Sequence, residues 1–309
     1  MYFLSEEEKR MLVRRLLPEA RARGVAEELR GWNWDKPPLS PVYAGRLGIY
    51  EIAGKYCPTS RDVYLRRVLG VNRSPSPKMT EGGILHRTLC RIIVESKRAI
   101  YNHGRDCLDE LKALACPSAG GVPRVEPGAD ASALPDAAET GRKVEALWEF
   151  EHRRIVNRVH EILSTQPHAG PDSLAALALP VTVEQRLNGG FLGLSPHLAA
   201  DAFNFSEPML VDVKFGGPER FHRLATTGYA LVMESLYEYP INIGCVVYVS
   251  FKNNSLGIER DFHVIDDELR QWFIEERDER MRMVEEEIDP GLAGECPEDC
   301  YCWKECYPE

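Results

Sequence analysis

From Leu179 onward the apolar residues of this chain change period, from helical spacing to strict alternation, and that change constrains the fold more than any other feature. Leu179–Leu187, Leu192–Phe205 and Met209–Phe215 read as three strands joined by short turns. A helix near 218–238 follows, with Leu224, Leu231, Val232 and Leu236 inward, and then a strongly apolar strand, Ile241–Phe251. A further strand (about 257–264) and an acidic helix (266–286) precede the tail. Three antiparallel-capable strands, a helical crossover and a buried strand predict a compact α/β unit.

Upstream the chain reads as helical. Ser5 with Glu8 makes a capping box ahead of Met11, Leu12 and Leu16, and Pro18 should kink or end that helix. Residues 33–45, rich in Pro and aromatics, look like a connection, and Cys57–Leu65 a turn feeding a short helix. A helix over 80–102, capped by Thr80, carries an apolar stripe from Ile84 to Ile100. Residues 116–137, full of Gly, Pro, Ala and Ser, read as a loop or insertion, and 138–164 as a long amphipathic helix.

With a net charge of −10, a broad basic surface that coats nucleic acid is excluded, though a local basic cleft is not. The acids crowd into Glu275–Glu287, which reads as a solvated helix face. No apolar run approaches the roughly 20 residues needed to span a bilayer. Acids follow Met1 where a signal peptide would carry basic residues. The expectation is a soluble, cytoplasmic protein.

The strands carry the chemistry. Asp201 lies on the second, and Asp212-Val213-Lys214 on the third. Period two sets Asp212 and Lys214 on one face with Val213 turned to the core. If the two strands pair, Asp201 lies beside Asp212. Two adjacent carboxylates favour a hard cation between them, Mg²⁺ or Mn²⁺, with the lysine positioning water or neutralising charge. On its own the pattern equally fits a surface salt bridge. His86, on the preceding helix, would suit the same metal shell. His86 and Cys90, at i and i+4, could instead make half a zinc site, but no second pair stands nearby in sequence.

Four of nine cysteines, Cys296, Cys300, Cys302 and Cys306, fall in the last fourteen residues, a density that points to metal before disulfide. The four could bind zinc among themselves, or three of them could join a distant ligand such as Cys57 around an iron–sulfur cluster. Cys90, Cys107, Cys116 and Cys245 read as buried or incidental thiols.

Together these residues resemble the CRISPR-associated RecB-like nucleases called Cas-four and, within them, the archaeal variant called Csa-one. Cys57 with Arg61, Tyr64 and Leu65, then Gly82, Gly83 and His86, match the family's early motifs. Asp201, in Pro196-His197-Leu198-Ala199-Ala200-Asp201, resembles its metal acid, and Asp212-Val213-Lys214 its acid-x-lysine. The match runs from about Tyr50 to the end, leaving an N-terminal extension outside it.

The resemblance implies a restriction-endonuclease-like PD-(D/E)xK core closed by an iron–sulfur clasp. Three parts follow: an N-terminal helical segment (1–75) with the first cluster cysteine, a nuclease core (76–286), and a cysteine-rich tail (287–309). It implies Mn²⁺ or Mg²⁺ on His86, Asp201, Asp212 and the Val213 carbonyl, with Asp201, Asp212 and Lys214 catalytic. It also implies a 4Fe–4S cluster on Cys57, Cys296, Cys300 and Cys306. The activity implied is exonucleolytic cutting of single-stranded DNA, or of DNA with single-stranded overhangs. Such cutting would trim fragments for spacer acquisition beside the CRISPR integrase complex. Two positions depart from the pattern. Asp212 stands where glutamate is usual, and Ala225 stands where glutamine precedes the DNA-positioning Tyr229. Arg223 or Arg220 would then cover part of that role. The departures also admit a catalytically weak or inactive iron–sulfur subunit that only binds DNA.

Overall fold

The computed structural model describes residues 1–71, 75–117, 136–252, 255–296 and 300–307. The chain opens on helix α1 (Glu6–Met11), capped by Ser5 with the reciprocal Glu8 contact the sequence predicts. A π turn at Leu12–Leu16 joins it to α2 (Leu17–Arg23), so the helix neither ends nor breaks at Pro18. Proline has no N–H to give and crowds the carbonyl one turn back. The widened turn absorbs both, since Leu17 donates to Leu12 instead of to the usual partner.

Helices α3 (Ile49–Ala53) and α4 (Arg61–Arg67) follow, and then the 27-residue α5 (Pro77–His103). Its cap is Ser76 rather than Thr80, because Pro77 fits the first helical position and starts the helix three residues earlier. After α6 (Cys107–Ala113), most of the expected 116–137 insertion lies outside the described residues. Helix α7 (Ala137–Thr165) begins on an Asp136 cap and α8 (Pro171–Ala178) leads into the sheet. The remaining elements are β1 (Val181–Leu187), β2 (Leu198–Asn204), β3 (Met209–Lys214), α9 (Arg223–Tyr237), β4 (Ile243–Lys252), β5 (Ser255–Val264), α10 (Asp267–Glu285) and α11 (Trp303–Cys306).

The five strands form one sheet in the order β1-β2-β3-β4-β5. All neighbours are antiparallel except β3 and β4, which the α9 crossover makes parallel. Period-two alternation divides the strands between two cores. Met209, Val211 and Val213 of β3, with Cys245, Val247 and Val249 of β4, pack toward α5 and α7. Leu210 faces the other core, beneath α3, α9 and α10. The result is a helix–sheet–helix sandwich in which Asp212 and Lys214 share the α9 side of β3.

Helix α10 corrects one expectation. Its acids are not simply a solvated face: Glu276 is buried, as are Arg270, Arg277 and Arg280. Arg270 is fixed by Glu234 of α9, whose carboxylate also accepts from Arg30, Gly31 N–H and Ile241 N–H. Buried charges persist where such partners meet them. This one carboxylate thereby bolts the segment around residue 30, the crossover helix, the start of β4 and α10 together.

Candidate active site

The pairing of β2 with β3, in the register Ala202↔Val211, sets Asp201 opposite Asp212. Asp201 Oδ2 accepts from the Val213 N–H at 2.9 Å. Lys214 Nζ lies 3.2 Å from Asp212 Oδ1 and 3.0 Å from Oδ2. Burial, then the Asp212 charge, raises the Asp201 carboxyl to about 6 against the pull of His86 and Lys214. Burial also works against the Lys214 charge, but Asp212 and Asp201 outweigh it and raise its pKa. The ammonium is therefore charged at neutral pH, a donor and not a base. Asp212 Oδ2 is buried yet makes no hydrogen bond of good geometry. A buried, under-satisfied carboxylate oxygen beside a second carboxylate fits an oxygen-seeking divalent cation.

The raised Asp201 carboxyl has a stability consequence in metal-free protein. Between about pH 3.8 and pH 6 the unfolded chain gives up this proton while the folded chain keeps it. The fold therefore loses stability as pH rises through that window. In EDTA, Asp201→Asn is expected to melt above the wild type at pH 7.5, with the advantage fading as pH falls toward 4. Melting curves across that range check this; a variant no more stable at pH 7.5 contradicts it.

His86 reaches this corner from α5, with Nδ1 3.8 Å from Asp201 Oδ2. Its other nitrogen, Nε2, lies 2.5 Å from Glu184 Oε1 and 3.5 Å from Cys90 Sγ. The Tyr2 hydroxyl stands 3.5 Å from Nδ1. Burial opposes the imidazolium, but Cys90, Glu184 and Asp201 outweigh it and raise its pKa to about 11. The strands bend to allow this convergence. In β1, Val183 packs in one core and Leu187 in the other; in β2, Ala202 and Ala200 are divided the same way. Both strands turn over at one point, where Glu184 is left-handed (φ 51) and the Glu184–Asp201 rung is missing from the ladder. Non-glycine residues seldom adopt that conformation, and here it turns Glu184 onto His86.

A second set of side chains flanks Lys214. Tyr248 pairs with Lys214 across β3 and β4. Its hydroxyl lies 3.2 Å from His222 Nδ1, and Tyr56 OH lies 2.8 Å from His222 Nε2. Burial, then Lys214, lowers the His222 pKa to about 4, so the imidazole is neutral between two phenols. Tyr229 does approach the acids: burial, then Asp201 and Asp212, raise its pKa. Its hydroxyl, however, donates to the Ala199 carbonyl at 2.6 Å. Arg223 is forked onto Asp261 at 2.7 and 2.6 Å, and Arg220 pairs with Glu268. The structure thus brings together His86, Asp201, Asp212, Val213 and Lys214, with Tyr229 nearby, and pairs Arg223 with Asp261.

A sequence model of the family described as CRISPR-associated exonuclease Csa1 matches residues 1–308. The chain belongs to the Csa1 family. It is 32% identical over 289 residues to a CRISPR-associated exonuclease Csa1 of Saccharolobus solfataricus, covering 93% of this chain and 94% of that one. It is 30% identical over 299 residues to another of Thermoproteus tenax, covering 95% and 97%. No solved structure matches. The Csa1 match starts at residue 1, so the N-terminal stretch set outside the resemblance above lies inside the family. Packing agrees: Met1, Tyr2, Phe3 and Leu4 are all buried.

In this Csa1 chain the segment around Cys57 meets the tail. Thr59 donates to the Gly291 carbonyl at 3.0 Å, Arg61 pairs with Asp289 at 2.8 Å, and Tyr301 OH donates to Asp62 at 2.8 Å. Slight burial, then Cys300, Cys57 and Cys306, raise the Cys296 thiol. Cys300, Cys57 and Cys306 therefore each lie within electrostatic reach of Cys296. Cys302 is buried instead, and its N–H donates to Cys300 Sγ at 3.4 Å. Of the thiols read as incidental, Cys107 and Cys245 are buried in the core, while Cys90 stands at His86.

Sequence reading missed Glu184 and the Tyr56–His222–Tyr248 chain. Glu184 carries no motif of its own; only its place opposite Asp201 marks it. His222 lies one helical turn before Ala225, a signal that was readable at the position where the glutamine is absent.

Proposed function

We propose that this chain is a metal-dependent DNA exonuclease of RecB-like type acting in CRISPR spacer acquisition, with single-stranded DNA or single-stranded overhangs as substrate. The observation that carries the reading is the Asp201–Asp212 pair on adjacent strands with a charged Lys214 beside it. The family name and both relatives' names, exonuclease, agree with it. His86, Asp201, Asp212 and the Val213 carbonyl would hold Mn²⁺ or Mg²⁺. When bound, that cation supplies Lewis-acid activation of the phosphate and of water. Lys214 donates to the phosphate oxygens as negative charge builds there. The new bond runs from water oxygen to phosphorus as the water's proton passes to solvent, and the bond to the leaving sugar oxygen breaks as that oxygen takes up a proton from solvent. Asp212 is one methylene shorter than glutamate, and its burial at the strand centre keeps it in the pair. Mn²⁺ titration followed by calorimetry tests the site: binding in the wild type, lost in both Asp201→Asn and Asp212→Asn, is expected. Equal binding in all three overturns it.

Cys57, Cys296, Cys300 and Cys306 would hold a 4Fe–4S cluster, tying residues 57–62 to the tail. Anaerobically purified Cys306→Ala is expected to lose most of its iron and the cluster's visible absorbance, while Cys302→Ala keeps both. Iron loss in Cys302→Ala with retention in Cys306→Ala would reverse the ligand assignment.

A further inference from the structure

We propose that His86 Nε2, Cys90 Sγ and Glu184 Oε1 form a subsite selective for Zn²⁺, and that a zinc ion there withdraws His86 from the acid pair. The three donor atoms all lie within 4.8 Å of one another. Tetrahedral zinc with one nitrogen, one sulfur and one oxygen ligand sets those atoms about 3.3–3.6 Å apart, given its usual bond lengths. Cys90 Sγ already stands 3.5 Å from His86 Nε2 and 3.7 Å from Glu184 Oε1. Only the 2.5 Å His86–Glu184 contact must open, by under an ångström or so.

Two further features point to a ligand. His86 and Cys90 sit at i and i+4, on one face of α5, so the helix presents imidazole and thiol together. Glu184 is turned toward them by a left-handed residue inside a strand, where β1 passes from one core to the other, and its side chain is half exposed. That exposure also gives a cation its way in, with water available for the fourth position.

The donor set decides the metal. Thiolate is a poor ligand for Mg²⁺ and Mn²⁺ and a good one for zinc. The oxygen-rich corner at Asp201 and Asp212 has the opposite preference. His86 stands between the two, Nε2 toward the thiol and Nδ1 toward Asp201. A neutral imidazole has one lone-pair nitrogen. Zinc on Nε2 leaves the proton on Nδ1, which then donates toward Asp201 and cannot ligate the second cation. Zinc binding stands independently of the nuclease reading; its inhibitory effect rests on it.

The test compares wild type with Cys90→Ser and Glu184→Gln, each reconstituted anaerobically to equal iron content and dialysed against a slight molar excess of ZnCl₂. Metal analysis by mass spectrometry is expected to find one more zinc per chain in the wild type than in either variant. Glu184 is solvent-facing, so Glu184→Gln keeps the test open if Cys90→Ser does not fold. Equal zinc in the wild type and the folded variants overturns the subsite. Fractional inhibition of Mn²⁺-supported cleavage by one equivalent of zinc is then measured within each protein. Inhibition confined to the wild type supports the shared imidazole, and equal inhibition throughout refutes it. Should no protein cleave DNA, the nuclease reading fails while the zinc count still decides the subsite.

Discussion

Lys214→Ala is expected to lower metal-dependent DNA cleavage about 10²- to 10³-fold, the usual cost of removing one donor aimed at charge that develops in the transition state. Position and charge give Lys214 that weight. Lys214 Nζ is 3.0 Å from Asp212 Oδ2, and the two nearby carboxylates hold it protonated, so it contributes as a cation. Binding of single-stranded DNA should change far less than the rate, because one ammonium is a small share of any backbone-tracking groove. The variant has a second signature. Without the lysine, Asp212 is a buried carboxylate that has lost its own ion-pair partner, so the metal-free variant should melt below the wild type, and added Mn²⁺ should recover most of the difference. Single-turnover rates, filter binding and melting curves measure the three effects. A variant that cleaves within a few-fold of the wild type removes Lys214 from the chemistry.

The largest stability effect is expected at Glu234. Its carboxylate accepts from Arg270 at 2.7 and 2.9 Å, from Arg30 at 2.9 Å, and from the backbone of Gly31 and Ile241, with the glutamate and Arg270 side chains fully buried. Replacing both charges with well-packed apolar groups is often neutral, since the attraction within such pairs little exceeds their desolvation cost. Removing one partner is different, because it leaves the other charge buried and unmet. Glu234→Ala is expected to cost about 3–5 kcal/mol, read from the shift in denaturation midpoint. The loss should propagate to the segment around residue 30 and to α10, which the carboxylate joins. A change under about 1 kcal/mol, the range of an exposed ion pair, would contradict the picture.

Much of the candidate site's geometry was legible because it follows strand periodicity. Asp212, Val213 and Lys214 alternate, and the short turn between β2 and β3 leaves one register that keeps Phe203 and Val211 buried, which fixes Asp201 opposite Asp212. The capping box at Ser5 was legible for the same local reason. What stayed hidden depends on tertiary contacts. Glu184 becomes a partner of His86 only because β1 turns over at a left-handed residue, which no pattern in Val-Thr-Val-Glu announces. Tyr56 and His222 meet across 166 positions. Arg223 reads as a DNA contact by sequence, and its ion pair with Asp261, 38 residues away, is not legible there. Pro18 does not end the helix, because a π turn upstream made room for it. The buried arginines of α10 look like surface residues until their acceptors, the carbonyls of Leu39 and Leu192 for Arg277 among them, are seen.

The central claim is that the Asp201–Asp212–Lys214 corner cuts DNA with a divalent cation. The most direct test is single-stranded DNA labelled at one end and then at the other, incubated with anaerobically purified protein in Mn²⁺ and, in parallel, in EDTA. The account predicts stepwise shortening from one end in Mn²⁺ and intact DNA in EDTA. DNA that is bound but left intact in Mn²⁺ would contradict it and make the chain a DNA-binding subunit instead.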